Sequence, residues 1–259
     1  MKRTVLVTIV ALLIATLAMG CGQKKDPAPA TPPMDYEDGT YSAIEEKFDD
    51  HGWKSMTTVV VEGGRIVKSF FDEINEDGLL KSFDPEYNPN MRDVSGTFPM
   101  EAYQILEKDL IAKQGVEGVD AVSGATSSSE GFKELAGKAL ASDPISKKGT
   151  YTDGLYKAIE KDFDDRGWRS AVAVIVEDGK IVSALFDEYN KDALYKNVDE
   201  DYAENMQGQS GTTPAKAAEA LTKSLLEKQD PNGVDAVSGA TGTFESFKSL
   251  ANEALANAK

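Results

Sequence analysis

Apolar and polar positions along the chain fall into three regimes. Val5–Met19 is a predominantly apolar run behind Lys2 and Arg3. A proline-rich, apolar-poor stretch follows it. From about residue 39 onward, two periodicities alternate. Thr57–Glu62 and Arg65–Ile74 are β-branched and aromatic runs on either side of Gly63-Gly64, which predicts two strands joined by a two-residue hairpin turn. Pro99 opens a stretch whose apolar positions Ala102, Ile105, Leu106 and Leu110 have helical spacing. A second helical stretch carries Phe132, Leu135, Ala136, Ala139 and Leu140 on one face. The acidic segment between hairpin and first helix holds Pro85 and Pro89 and is expected to be irregular.

The same succession then recurs. Asp178-Gly179 takes the hairpin turn, Pro214 opens a helix with Ala217, Leu221 and Leu225, and Phe247, Leu250, Ala251 and Leu255 mark the last helix. Thr97 or Thr213 is the expected N-cap of the first helix, and Ser127–Glu130 has capping-box spacing before the second, although Gly242 replaces Ser127 in the other copy. One constant offset, the one that carries Thr126 to Thr241, also pairs Gly39 with Gly154, Tyr41 with Tyr156, Phe48 with Phe163 and Trp53 with Trp168. It pairs Phe71-Asp72-Glu73 with Phe186-Asp187-Glu188, Asn90-Met91 with Asn205-Met206, and Ser95-Gly96-Thr97 with Ser210-Gly211-Thr212. A period this long is a duplicated domain and not a solenoid unit. The fold class is α+β: two tandem homologous domains, 38–141 and 151–259, each a small antiparallel sheet with a hairpin packed on two helices. Residues 142–150 form a polar linker.

The N-terminal run is too short to span a bilayer comfortably and reads as a signal peptide over residues 1–20. It ends Leu17-Ala18-Met19-Gly20-Cys21, which resembles a bacterial lipobox with Ala18 where Leu is more usual. Cys21 is the only cysteine, so it makes no internal disulfide, and lipidation gives it a purpose. An ordinary signal peptide ending near a cysteine is the alternative. Residues 21–37 then form a tether in extended polyproline conformation, long enough to hold a folded body about 50 Å from a surface at ~3.1 Å per residue. The formal charge of −16 argues against nucleic acid as a partner, because phosphates would be repelled.

Inside the repeats, the string Gly-Val-Asp-Ala-Val-Ser-Gly-Ala-Thr is identical at 118–126 and 233–241, while nearby helix positions have drifted. It stands at a loop-to-helix junction. A helix start offers unpaired N–H groups and partial positive charge, which suits a phosphate. Gly124 and Gly239 permit close backbone approach, Ala125 and Ala240 add little bulk, and Ser123, Thr126, Ser238 and Thr241 supply hydroxyls. A plain turn and helix cap is the alternative, but a cap needs one polar side chain and not a fixed nine-residue string.

Asp-Ala-Val-Ser-Gly-Ala-Thr at 120–126 and 235–241 resembles the acceptor motif of FMN-binding domains modified by a bacterial flavin transferase. The C subunit of the sodium-pumping NADH:quinone oxidoreductase and the G subunit of the Rnf complex carry such domains. The Asp-Gly-x-Tyr openings at Asp38–Tyr41 and Asp153–Tyr156 and the hairpin ends in Ile-Val fit the same resemblance. With the lipobox, the whole chain is similar to the doubly flavinylated surface lipoproteins of Gram-positive extracellular electron transfer. The resemblance implies two FMN groups, each covalently joined through a phosphoester to Thr126 or Thr241. Asp120 and Asp235 belong to the transferase motif, with Ser123, Gly124, Ala125, Ser238, Gly239 and Ala240 around the phosphate. It implies a redox carrier that is itself a substrate of the flavin transferase and not an enzyme. Its partners would be a membrane quinone-linked electron donor and extracellular acceptors such as ferric iron, and it would sit lipid-anchored on the outer face of the cell membrane. The competing expectation is a non-redox binding or structural lipoprotein with a duplicated module.

Other residues receive plainer readings. Trp53 and Trp168 are expected to pack in the core or rim rather than stack on a flavin. His51, the only histidine, is Arg166 in the second copy, which excludes a shared histidine mechanism. Asp49-Asp50, Asp164-Asp165 and Asp199-Glu200-Asp201 lack the EF-hand pattern and read as solvated faces, and no metal site is expected. Asn90-Met91 and Ser95-Gly96-Thr97, with their partners, are second-tier candidates for a ring pocket, with a tight loop as the alternative.

Overall fold

Both hairpin turns place two successive residues at positive φ, Gly63 (60°) with Gly64 (71°) and Asp178 (47°) with Gly179 (74°). This is the backbone that matches strand twist in a two-residue hairpin. The computed structural model describes residues 36–259, so the expected signal peptide, Cys21 and most of the expected tether lie outside the described residues. In the first repeat the hairpin joins β2 (Lys54–Glu62) to β3 (Arg65–Ile74), and β1 (Gly39–Ile44) adds to the other side of β2, giving an antiparallel sheet of order β1-β2-β3. The second repeat builds the same sheet from β4 (Gly154–Ile159), β5 (Arg169–Glu177) and β6 (Lys180–Tyr189). Both copies bulge at the same place, between Val60 and Val61 and between Ile175 and Val176.

Each sheet is followed by three α-helices, one more than the apolar pattern predicts. The segment expected to be irregular holds a 3-10 turn at Lys81–Phe83 and then α1 (Tyr87–Ser95). The Asp84 carboxylate accepts the N–H groups of Glu86 and Tyr87, both at 2.8 Å. Pro89 falls in the first turn, where its missing donor costs nothing. The only buried side chain of this helix is Asn88, whose amide donates to the Lys81 and Asp84 carbonyls, each at 2.7 Å. A helix held by polar contacts leaves no apolar stripe in the sequence. α2 (Pro99–Lys113) and α3 (Thr126–Leu140) complete the first repeat, and α4 (Glu200–Ser210), α5 (Pro214–Lys228) and α6 (Thr241–Ala256) repeat them.

Three smaller expectations are corrected. Thr213 caps α5 by accepting the Lys216 N–H, but Phe98 and not Thr97 precedes α2, without a side-chain cap. The capping box Ser127–Glu130 does not form, because α3 already begins at Thr126; Ser129 Oγ instead bonds back to the Ala125 carbonyl at 2.7 Å. Ile105 turns to solvent, while Met100 and Tyr103 join Ala102, Leu106 and Leu110 inside.

The strand period of two decides which core each side chain enters. Val59, Val61, Ile66 and Phe71 pack with Ala102, Tyr103, Leu106, Phe132 and Ala136 of the first repeat's helices. Met56, Phe70, Leu80, Phe83 and Phe98 belong instead to the core that holds the second repeat. The first sheet is thus apolar on both sides, and the described residues form one compact unit. β4 packs against the first repeat's strands. The Leu155 N–H donates to Thr58 Oγ1 at 2.8 Å, and a Cβ on Gly154 would stand 2.6 Å from that same oxygen.

From β4, Lys157 reaches into the first repeat. Its ammonium lies 2.9 Å from Glu107 Oε1 and 3.5 Å from Asp72 Oδ2, and donates to the Phe71 carbonyl. Glu107 accepts the Phe71 N–H at 2.8 Å. One ammonium and one carboxylate therefore satisfy the outer edge of β3, with all three charged groups buried. The duplication does not repeat this device, since Ser42 and Thr222 stand at the positions of Lys157 and Glu107. Asp187, the counterpart of Asp72, forms no ion pair among the described residues, and burial pushes its carboxyl up to about 7.

Lys157→Met should lower stability by about 3–5 kcal/mol in chemical denaturation, because it leaves two buried carboxylates without their cation. For Asp187 the sign is opposite to that of a paired carboxylate. Its folded value lies above its unfolded one, so its contribution is fully present below about pH 4 and is lost as pH rises to about 7. Asp187→Asn should remove that loss, gaining on the order of 4 kcal/mol over the native protein at pH 8 and little at pH 4.

Candidate functional site

Two equivalent clefts open beside the sheets, one in each repeat. The first, about 840 Å³, is walled by the start of α3, one side of α1 and the Trp53 end of β2. The second, about 570 Å³, is walled by the start of α6, by α4 and by the Trp168 end of β5. Both volumes fall in the range of small-molecule sites.

The repeated string places Thr126 and Thr241 at the first position of α3 and α6, solvent-exposed at the cleft wall. Ala125 and Ala240 precede them and give no side-chain cap, and neither first turn carries an acidic residue. The first bond of each helix is Ser129 N–H to Ala125 and Phe244 N–H to Ala240, both 2.9 Å. The three amides before it, at 126–128 and 241–243, have no acceptor within the helix and point their partial positive charge toward the cleft.

The glycines of the string set this geometry. Gly124 has φ 81° and Gly239 φ 78°. A Cβ on Gly124 would lie 2.8 Å from the Ser95 carbonyl oxygen, and one on Gly239 would lie 2.3 Å from that of Ser210. The turn therefore docks on the C-terminal end of α1 or α4, and only a residue without Cβ permits it. Ser95 and Ser210 bond back to Met91 and Met206 in their own helices. Gly96 and Gly211 close those helices at φ 76° and 77°.

The opposite wall is aromatic and cationic. Trp53 and Tyr87 meet edge-to-face at 6.3 Å, and Trp168 and Tyr202 at 6.0 Å. Lys81 Nζ lies 5.2 Å from the Trp53 ring and 4.8 Å from Tyr87, and Lys196 Nζ lies 5.1 Å from Trp168 and 4.6 Å from Tyr202. Each ammonium is also paired with a carboxylate, Lys81 with Glu73 at 2.5 Å and Lys196 with Glu188. Asp49 accepts the His51 and Trp53 N–H groups at 2.9 Å, and Asp164 does the same for Arg166 and Trp168. These acidic turns orient the tryptophans.

Not all expected site residues meet in the clefts. Gly124, Ala125 and Thr126 line one, and Gly239, Ala240 and Thr241 the other. Asp120, Ser123, Asp235 and Ser238 are exposed and line neither. The Asp120 N–H bonds Asp109, the Asp235 N–H bonds Ser224 Oγ, and the Asp235 carboxylate lies 3.7 Å from Lys228. Asn90, Met91 and Ser95 do line the first cleft, as their partners line the second, whereas Thr97 is buried outside it. Trp53 and Trp168 are both packed and cleft-lining. Lys81, Tyr87, Lys196 and Tyr202 escaped the sequence reading. Their signal was identity between copies at the constant offset.

An uncapped helix start, a glycine cradle and an aromatic wall facing each other across a cleft make a site for a phosphorylated aromatic cofactor. The chain belongs to the FMN-binding domain family, whose pattern it matches twice, at residues 52–141 and 167–256. It is also 38% identical over 107 residues to a 15 kDa lipoprotein of Treponema pallidum (strain Nichols), across 41% of this chain and 76% of that protein. A crystal structure of a Clostridium perfringens protein is 42% identical, covers 40% of this chain and 86% of that one, and superposes with a TM-score of 0.40. A solution structure of a Clostridium thermocellum protein is 29% identical, with 40% and 89% coverage and a TM-score of 0.29.

Gly239→Ala should destabilise the protein by about 1–3 kcal/mol in thermal or chemical unfolding, through the strained φ and the contact with Ser210. Gly233→Ala, whose Cβ would meet only the Lys228 side chain at 3.4 Å, should stay within about 0.5 kcal/mol of the native protein.

Proposed function

We propose that this protein is a lipid-anchored electron carrier on the outer face of a bacterial membrane, bearing two covalent FMN groups. The observation that carries the reading is the position of Thr126 and Thr241. Each hydroxyl stands at the first residue of an uncapped helix, beside three free amides and at the edge of a cleft with an aromatic wall. A flavin transferase would join each threonine Oγ to the FMN phosphorus of FAD. The threonine proton is lost, the pyrophosphate bond breaks and AMP leaves. The helix amides would then hold the phosphate charge, and the Trp–Tyr–Lys wall would receive the ring.

Covalent attachment suits a protein outside the cell, because a dissociated cofactor would be lost by dilution, whereas a tethered one keeps a high local concentration. The flavin supplies the redox chemistry, and the chain supplies position and charge. The lipoprotein relative supports an anchor at Cys21. On this reading a membrane quinone-linked donor reduces the protein, and extracellular acceptors such as ferric iron oxidise it. Among the described residues, no helix is long and apolar enough to cross a membrane.

Co-expression with a flavin transferase should give a band that fluesces as flavin on a denaturing gel, with an intact mass two FMN groups above the apoprotein. Thr126→Val and Thr241→Val should each remove one group, and the double variant should be folded and colourless. A single variant that still carried two flavins would refute the assignment of that threonine.

A further inference from the structure

The two clefts share their walls but not their charge. Threonine, tryptophan, tyrosine, lysine and glutamate recur at equivalent places, and the lining positions Val94, Ser127 and Gly131 become Gln209, Gly242 and Ser246, exchanges that leave charge unchanged. Around them, the first cleft is lined by Glu45, Asp49, Glu73, Asp84 and Glu86 against the single cation Lys81. The second is lined by Glu160, Asp164 and Glu188 against two cations, Lys196 and Arg166. Asp199 and Asp201, the counterparts of Asp84 and Glu86, do not line the second cleft. The largest single exchange is Arg166 for His51, and the Arg166 guanidinium is held at the cleft by a 3.3 Å bond to the Tyr202 hydroxyl.

We propose that the second cleft holds its flavin at a higher reduction potential than the first, so that electrons entering the chain at the first repeat settle on the second. The inference rests on the functional reading above, two flavins per chain. Two-electron, one-proton reduction leaves a flavin ring one charge more negative. Nearby carboxylates oppose that change, and a guanidinium favours it. The buried charges do not reverse the order. Asp72, Glu73 and Glu107 are buried in the first repeat with Lys81 and the inserted Lys157, whereas the second buries Asp187 with Lys196.

Internal transfer needs the clefts held in fixed relation, and one hydrogen bond ties them almost directly. The Tyr195 hydroxyl of the second repeat donates to the Ser82 carbonyl of the first at 2.5 Å. Tyr195 is the chain neighbour of Lys196, and Ser82 of Lys81, so the bond joins the segments that carry the two cleft lysines. Beside it, the Phe98 and Tyr189 rings meet across the repeats at 6.0 Å, and within the second repeat Tyr189 lies 6.2 Å from Tyr195. In the balanced internal step, two electrons and one proton leave the reduced flavin of the first repeat. The oxidised flavin of the second gains the same, with solvent carrying the proton.

The test is a spectroscopic redox titration of the full-length flavinylated protein after its flavin count is fixed by intact mass. Thr126→Val retains only the second flavin and Thr241→Val only the first. The former should titrate at the higher potential, by at least tenfold in the exchange constant, or about 30 mV for a two-electron couple. Arg166→His in the Thr126→Val protein should lower its potential, and His51→Arg in the Thr241→Val protein should raise it. If a single-flavin variant fails to fold, the doubly loaded protein should show two resolved waves, with Arg166→His moving only the upper one. Equal potentials, a reversed order or a single unresolved wave overturns the inference while leaving two flavins in place. Absence of flavin from the mass overturns the functional reading, and this inference with it.

Discussion

The approach of a glycine to a helix end governs both sites. Gly124 lies against the Ser95 carbonyl and Gly239 against that of Ser210, at separations that no Cβ would tolerate. This contact brings the turn onto α1 or α4 and aims the next helix into the space between. A longer approach would open the cleft wall, and a side-chain cap would occupy the free amides. The string thus carries several requirements at once: a left-handed glycine, a small residue that cannot cap, and a hydroxyl in the first turn. Those requirements are local and strict, which gives a physical reason for the string to remain identical when surrounding helix positions drift.

Duplication supplied two such sites, and the interface made the copies different. A free-standing repeat would expose the side of its sheet that carries Met56 and Phe70. Here that side is buried by the second repeat, whose core absorbs it. The cost is a set of charges taken out of water. Lys157 meets Glu107 and Asp72 together and satisfies the Phe71 carbonyl as well. Such a cluster is strongly destabilising if one member is lost, yet contributes modestly in net terms against well-packed apolar groups. Its structural effect is to fix orientation, because an ammonium facing two carboxylates and a strand edge is satisfied in one arrangement only.

Much of the fold was legible because its signals are periodic. The hairpins, the α2 and α3 stripes and their repeats follow from spacing and turn chemistry. α1 and α4 were not legible, because they bury almost nothing apolar: Asn88, Asp84 and Asp199 hold them through polar bonds that leave no periodic trace. Ile105 fitted the helical spacing but faces solvent, since one stripe on α2 is wide enough to cover β3. The candidate site was half legible. The repeated string marked the threonines and glycines, whereas Lys81 and Tyr87, far from the string in sequence, are ordinary residues until folding brings them to its cleft.

The sequence by itself determined the duplication, the hairpin and the two apolar-striped helices of each copy, and the helix start at Thr126 and Thr241, because each is written in neighbouring residues. Only the tertiary structure decided that Asp120 and Ser123 stand outside the clefts, that an aromatic and cationic wall faces the helix start, and that Lys157 joins one repeat to the other. Those relations depend on distances between residues remote in the chain, and such distances are set by packing two cores against one shared sheet.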